Sequence, residues 1–268
     1  WEQSVFIAPN DMSESGVSDF TCGDNILRYS SGSIQVALDA WIAGTYGDTI
    51  ITTEAKYAKD SVVAKYGEIA EWNVSRVGRM HRLFMDKPTF NGDISKWNVE
   101  HIDNMKQMFK GASAFNGDLS KWSVGKVTEM EYMFEEASAF NSDISKWNTE
   151  NVLKMDYVFH QASAFNSDLS KWSVRKVTDM TSMFREAWAF NSDLSKWEVD
   201  NVAFVQAMFH KAIAFNRDLR KWNIAKVKLE AGDGSFMEEM FKDAKSFNQT
   251  WCEEVWVNSE ALVKSAFA

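Results

Sequence analysis

A row of aspartates and two histidines are the residues of this chain that could bind a metal ion or transfer protons. The aspartates recur every 25 residues: Asp93, Asp118, Asp143, Asp168, Asp193 and Asp218. A calcium site needs about six to eight oxygens converging on one ion, and the aspartate motif lacks the glycine-rich loop of calcium-binding repeats. His160 and His210 share a repeat position two copies apart, about 10 Å at the usual spacing of stacked strands, too far to share one metal. We therefore expect no metal and no cofactor.

Catalytic motifs are also missing from the sequence. It contains no nucleophile elbow, no phosphate-binding loop and no cysteines at zinc-ligand spacing. A catalytic site should break the repeat in one copy, and the only strong break, residues 228–235, offers no nucleophile with a partnering base. Cys22 and Cys252 lie in opposite terminal segments, so free thiols are expected. The sequence predicts that this protein is not an enzyme.

A strict period of 25 residues organises most of the chain. Tryptophan stands at 72, 97, 122, 147, 172, 197 and 222, and phenylalanine keeps the same step from Phe84 to Phe209 and from Phe90 to Phe215. Seven copies without a slipped residue indicate a solenoid, because each copy must occupy the same environment as its neighbours.

Each copy contains two hydrophobic rhythms. Trp97 and Val99 alternate with polar residues, which predicts a short strand with one buried face. Met105, Met108, Phe109 and Ala112 follow at i, i+3, i+4 and i+7, which predicts about two turns of helix. We therefore expect an α/β solenoid, a leucine-rich-repeat-like stack of strand-turn-short helix coils whose tryptophans and methionines form the core.

The repeats predict three regions. Residues 1–65 do not repeat and form an N-terminal arm and helical cap, residues 66–250 form the solenoid, and residues 251–268 form a C-terminal cap. Seven extra residues interrupt the solenoid near 228–235, where a loop with Glu230, Asp233 and Ser235 is a candidate binding element.

The N-terminal region carries its own helix signals. Ile34, Leu38, Trp41 and Ile42 form one apolar face, and Ser33 precedes them as a candidate N-cap. A second helix is predicted from Glu54 to Lys65. The alternative for residues 1–32, which are rich in Ser, Gly and Asp, is an extended arm that lies on a partner.

A column of lysines marks the candidate partner face. On a strand the residue before each tryptophan points away from the core, so these lysines and the polar residues two positions later should line one exposed sheet face. The predicted face contains Lys96, Asn98, Lys121, Ser123, Lys146, Asn148, Lys171, Ser173, Lys196 and Glu198. It would either dock an acidic or polar partner or serve solubility by balancing the aspartate column.

Charge and hydropathy restrict the partners further. The formal net charge of -9 argues against general nucleic-acid binding, which requires Lys and Arg to neutralise phosphates. No apolar run approaches the roughly 20 residues that span a bilayer. The sequence starts at Trp1 rather than methionine and contains two glycosylation-type sequons, at Asn73 and Asn248. We therefore favour an extracellular, cell-surface or organelle-lumen location over the cytosol.

The repeat itself resembles that of a known family. The segment FNGDISKWNVEHIDNMKQMFKGASAF and its copies, from about Tyr66 to Phe247, resemble the BspA-type leucine-rich-repeat surface proteins found among mycoplasma lipoproteins, protists and microalgae. SIQVALDAWIAGTYG and YGEIAEWNVSRV are similar to the helix and entry segment that precede such repeats in algal members.

This resemblance implies a curved solenoid without catalysis and a role in adhesion or protein binding, and it transfers no binding residues. Together with the residue patterns it predicts a non-catalytic protein-protein interaction module, acting as a scaffold or as a peripheral subunit of a larger assembly. The alternative is a cell-surface or secreted adhesin that binds a host protein or glycan.

Overall fold

The computed structural model describes residues 26–28, 33–46, 53–77, 79–230 and 237–249. Its regular elements are β1 (Ile26–Arg28), α1 (Ser33–Tyr46), α2 (Thr53–Tyr66), a short 3-10 helix (Ile69–Glu71), β2 (Asn73–Arg76) and α3 (Ala225–Glu230). Strands β1 and β2 pair in parallel, with an irregular register between Ile26 and Arg28.

The two predicted N-terminal helices are confirmed as α1 and α2. Ile34 and Leu38 are fully buried, as their position on the apolar face of α1 requires. Trp41 meets the ring of Phe90 edge-on at 6.5 Å, and its indole Nε1–H donates to Glu68 Oε2 at 3.0 Å. Helix α1 therefore packs on the first 25-residue copy.

Successive copies are joined by backbone hydrogen bonds in register. The N–H of Met105 donates to the carbonyl of Glu129 at 2.9 Å, and that of Phe109 donates to Met133 at 2.8 Å. Equivalent bonds recur along the repeats. They accompany a row of parallel bridges at Asn104, Glu129, Lys154, Asp179 and Phe204. We call this row of bonded segments, residues 104–111 and their equivalents, the ladder.

The ladder replaces the helix that the sequence predicted, and the predicted strand is also absent from the described copies. Residues 105–112 form turns, because alternate amides, such as that of Phe109, donate to the next copy, and the amides between them, such as that of Met108, donate to the carbonyl three residues earlier. Trp97 and Val99 are buried while Lys96 and Asn98 are exposed, yet this segment pairs with no neighbour as a strand. Burial alternated as expected, but the backbone pairing occurs about ten residues further along.

The ladder bends the backbone into the left-handed region twice in each described copy. Tyr132 has φ 59° and Glu136 has φ 59°, and the other copies repeat these two positions. Gly111 is the glycine among them, with φ 70°. A left-handed conformation costs a non-glycine residue roughly 1–2 kcal/mol. The local strain is maintained because the bonds between copies depend on these turns.

This strain predicts an unusual order of stability at position 136. Glu136→Gly should be about 1 kcal/mol more stable than Glu136→Ala in urea unfolding, because glycine relieves the left-handed strain and alanine does not. Glu100, which is exposed and lies outside the left-handed positions, is the matched control. There the alanine variant should equal or exceed the glycine variant, and the same order at both sites would contradict the assignment of strain.

Aromatic columns fill the core of the stacked copies. Phe134 and Phe159 stack at 5.7 Å between ring centroids, and Phe159 meets Phe165 of its own copy at 3.8 Å. Trp147, Trp172 and their equivalents are also buried, and from Trp97 onward each indole donates to the preceding copy. For example, Trp147 Nε1–H donates to the carbonyl of Leu119 at 3.0 Å. The predicted burial of the tryptophan column is confirmed.

A column of asparagine side chains also links successive copies by hydrogen bonds. The backbone N–H of Asn141 donates to the side-chain oxygen of Asn116 at 2.8 Å, and this bond recurs from Asn91 to Asn248. Asp143 Oδ1 accepts the N–H of Ser145 within its own turn at 2.9 Å. The aspartate column is thus used in turns. The described residues contain no group of three acidic, histidine or cysteine side chains that could hold a metal ion.

The seven-residue insertion leaves the stack intact. Residues before and after α3 still pair. The backbone N–H of Phe209 donates to the carbonyl of Met240 at 2.8 Å, and the rings of Phe209 and Phe241 stack at 5.6 Å. Phe241 is 32 residues after Phe209 in place of the usual 25, and the bonds between copies keep their register across the insertion.

Candidate functional site

The lysines of the predicted partner face are all exposed. The polar residues beside them, Asn98, Ser123, Asn148 and Glu198, are exposed too, whereas Ser173 is half-buried. These residues lie on the tryptophan side of the core, away from the ladder, so the face is not the surface of a sheet as predicted. As a partner face it remains a prediction.

The charges beside the lysine column favour the second interpretation of this face, in which the lysines balance the aspartates. Hydrogen bonds from Ser145 hold the pKa of Asp143 below its usual value, and the nearby ammonium groups of Lys146 and Lys171 lower it further. Each copy from 93 to 196 repeats this pairing of an exposed aspartate with a lysine three residues later. The positive charge of the column is therefore largely offset by its own neighbours.

One shallow depression lies on this face. It measures about 350 Å³ and is lined by Ser170, Lys171, Trp172, Ser173, Val174, Arg175, Lys196 and Glu198. Arg175 and Glu198 form an ion pair at 2.5 Å at its edge, where both side chains are more than half exposed. Because both side chains are exposed to solvent, this pair contributes little to stability.

The predicted binding loop lies mostly outside the described residues. Glu230 ends α3, whereas Asp233 and Ser235 lie outside the described residues, as do Cys22 and Cys252. His160 Nδ1 and His210 Nδ1 make separate hydrogen-bond contacts, with Glu135 Oε1 at 3.1 Å and Glu239 Oε2 at 3.0 Å.

An exposed apolar pair was missed by the sequence reasoning. Trp188 is 53% exposed and Ile213, the equivalent residue one copy later, is 40% exposed. In three earlier copies this position is a serine whose hydroxyl donates to the preceding copy, as Ser163 does to the carbonyl of Ser138 at 3.3 Å. We call Trp188 and Ile213 the apolar patch. The replacement of a repeated serine by Trp and then by Ile was visible in the sequence and could have identified it.

Cations border the apolar patch. Lys211 lies two residues before Ile213 and pairs with Glu186 at 3.4 Å. Lys245 follows in the next copy, where the N–H of Ser246 donates to the carbonyl of Ile213 at 3.1 Å. Lys245 is exposed and takes part in no ion pair among the described residues. The patch thus combines apolar side chains with an available positive charge.

One position of the ladder changes its residue type from copy to copy. Lys106, Glu131, Asp156, Thr181 and Gln206 occupy one equivalent position. Lys106 Nζ lies 3.4 Å from Glu131 Oε1 and 6.0 Å from the ring centre of Tyr132. Tyr132 stacks on Tyr157 at 4.8 Å. A lysine thus neutralises the carboxylate and covers the tyrosine in this copy.

Asp156 has no such ion pair among the described residues, and Lys154, two residues earlier, only partly offsets its charge. The Oδ1 of Asp156 is buried and accepts no hydrogen bond within the described residues, and the same holds for Glu131 Oε2. Burial raises the pKa of Asp156 to about 6, and the charges of Asp179 and Glu131 contribute to the rise. Burial and the acids around it, Asp156 first among them, also raise the pKa of Tyr132 to about 12.

Asp156 predicts a pH-dependent stability. The unfolded carboxyl loses its proton near pH 4 and the folded one near pH 6, so unfolding releases a proton between these values and stability falls as pH rises through them. Discounted for solvent screening, the loss is about 1 kcal/mol. Asp156→Asn should recover it at pH 7 and flatten this part of the profile, measured as urea midpoints from pH 4 to 8.

Asp143→Asn is the control with the opposite sign. The pKa of Asp143 is lowered by folding, so this carboxylate stabilises the fold above its unfolded pKa and loses that contribution as pH falls through its folded value. The Asn variant should therefore gain nothing at pH 7. Equal gains from both substitutions would reflect overall charge and contradict the local explanation.

The repeats and their bonds between copies define a tandem-repeat protein. A family model described as "Mycoplasma protein of unknown function, DUF285" matches residues 54–172 and 141–256, together about three quarters of the chain. The chain belongs to this family. No curated protein and no solved structure matches it. Within the described residues, no helix has the length and apolar character needed to cross a membrane.

Proposed function

We propose that this chain is a leucine-rich-repeat-like solenoid of the BspA type that acts as a non-catalytic protein-binding module, as a scaffold or peripheral subunit. The bonds between copies and the continuous aromatic columns support the solenoid. The family match supports a tandem-repeat protein. The protein-binding role rests on the apolar patch.

The apolar patch is the observation that carries the proposal. Every tryptophan of the 25-residue column is at most 4% exposed, whereas Trp188 is 53% exposed beside Ile213. Tryptophans in interface centres contribute more binding energy than other residue types, because they bury a large apolar surface. The exposed pair therefore favours a protein partner.

Charge complementarity indicates the kind of partner segment. Lys211 and Lys245 flank the apolar patch, and Lys245 has no ionic partner of its own among the described residues. A segment that presents a large apolar side chain between aspartates or glutamates would satisfy both features. The lysine column is the competing docking face, since it too would attract an acidic partner.

Lysine crosslinking in the native source, followed by mass spectrometry and copurification, tests the proposal. One partner in fixed stoichiometry, crosslinked through Lys211 or Lys245, supports a subunit bound at the apolar patch. Crosslinks from Lys96, Lys121, Lys146 and Lys171 would place the partner on the lysine column instead. No stoichiometric partner, or a dimer of this chain alone, would overturn the proposal.

The second candidate is a surface adhesin. The exposed ring of Trp188 favours it, because a tryptophan face can stack on a sugar ring as well as on a protein. An adhesin would be accessible to surface labelling on intact cells and would bind immobilised glycans or host proteins without a fixed cellular partner.

A further inference from the structure

The ladder contains its own example of how a cation binds beside a tyrosine. Lys106 Nζ lies 3.4 Å from Glu131 Oε1 and 6.0 Å from the ring centre of Tyr132. Lys110 adds a second cation, 2.6 Å from Glu135 Oε2 and 5.5 Å from the same ring. Here a carboxylate and an aromatic face together hold an ammonium group.

One copy later the same arrangement lacks its cation. Moving each residue on by 25 positions turns Lys106, Glu131 and Tyr132 into Glu131, Asp156 and Tyr157. The acid and the tyrosine are kept, but glutamate stands where the lysine was. We call these three residues, Glu131, Asp156 and Tyr157, the acidic step.

The acidic step has unused acceptors. Glu131 is only 6% exposed, and its Oε2 has no hydrogen-bond partner within the described residues; Asp156 Oδ1 is buried and equally unpaired. Lys106 is 3.4 Å from Glu131 Oε1 and so satisfies only part of that carboxylate. A buried carboxylate without a donor is costly, and one added cation can relieve both groups.

No residue in the columns of the acidic step supplies that cation, and the exposed Lys154, whose charge lowers the pKa of Asp156, forms no ion pair with it among the described residues. Thr181 follows Asp156 in its column, and Ser182 and Ala207 follow Tyr157 in the tyrosine column. The stacked tyrosines therefore end at Tyr157. His160 lies edge-on to Tyr157 at 5.5 Å, but its Nδ1 is engaged by Glu135 at 3.1 Å.

We propose that the acidic step binds a lysine or arginine side chain of a protein partner, with the cation between the two carboxylates and against the ring of Tyr157. The proposal rests on the proposed protein-binding function and adds a second contact on the ladder side of the molecule. An organic cation fits better than a metal ion, since the described residues form no metal-binding cluster.

A peptide titration tests the site directly. The probe is tri-arginine amide and the neutral control is tri-citrulline amide, followed by NMR of the Tyr157 ring and the Asp156 carboxyl carbon. Tri-arginine should shift both signals and lower the pH at which Asp156 titrates, because a bound cation favours the carboxylate. Tri-citrulline should shift neither.

A matched pair of double variants separates the site from general attraction to an acidic protein. Glu131→Gln with Asp156→Asn should weaken tri-arginine binding at least about tenfold. Glu100→Gln with Glu150→Gln removes the same charge from exposed positions and should change it less than about twofold. Equal losses in the two variants, or no shift at Tyr157, would overturn the proposal.

The proposed function and this site can fail separately. A partner that requires Trp188 but is indifferent to the acidic-step variant, with no tri-arginine response, would remove the site and leave the function standing. Absence of any partner alongside a specific tri-arginine response would overturn the function and keep the cation site.

Discussion

Phe159→Ala is expected to destabilise the protein by about 3–5 kcal/mol in urea unfolding. Phe159 is fully buried and contacts four rings, with Phe165 at 3.8 Å and Phe134, Phe184 and Trp172 at 5.7–6.0 Å. Truncation leaves a cavity and removes the stacking on both neighbouring copies. Because each copy contacts mainly its neighbours, the loss also weakens the coupling between the two halves of the stack.

An exposed aromatic provides the matched control for Phe159. Trp188→Ala removes a larger ring from a half-exposed position and should change stability by less than about 0.5 kcal/mol. If Phe159→Ala prevents folding, Phe159→Leu should still fold and lose about 1.5 kcal/mol. A loss below about 1 kcal/mol for the alanine variant would contradict a shared aromatic core.

Trp188→Ser is expected to weaken binding of a purified partner at least about 30-fold, the effect of losing an interface tryptophan worth about 2 kcal/mol. The substitution restores the residue of three earlier copies, whose serine hydroxyl bonds to the preceding copy, so folding should be preserved. Calorimetric titration of both proteins with the partner measures the change.

Two comparison variants locate the partner. Ile213→Ser should weaken binding by a smaller factor, because isoleucine buries less surface than tryptophan. Lys146→Ala with Lys171→Ala should stay within about threefold, since exposed charges at a distance contribute little. Loss of binding in the lysine variant with full binding in Trp188→Ser would show that the lysine column is the partner face.

The sequence revealed the repeating columns but not the backbone that joins them. Trp97, Val99 and Phe109 were predicted to be buried, and they are. The i, i+3, i+4 spacing of Met105, Met108 and Phe109 is typical of a helix, yet tight left-handed turns bring the same side chains inward. Hydrophobic spacing reports which residues face the core, whereas the choice between bonds within a copy and bonds to the next depends on the neighbouring copies.

The candidate surfaces were predictable to different degrees. The exposure of the lysines followed from their alternation with buried residues. The apolar patch was visible as a change from serine to Trp188, but exposure had to be seen before that change pointed to an interface. The unpaired state of Asp156 depends on side chains 25 residues away on either side, which no local pattern contains.

The backward-reaching indole bonds have a consequence for how such a chain can change in length. Trp97 donates to the carbonyl of Ile69 in the preceding unit, while Trp72 donates to the nearby Gly67. A duplicated stretch of 25 codons would therefore encode a unit whose donors and acceptors meet the same neighbours as before. We therefore expect an added interior unit to preserve these bonds, with outward positions free to diverge and inward ones constrained by the core.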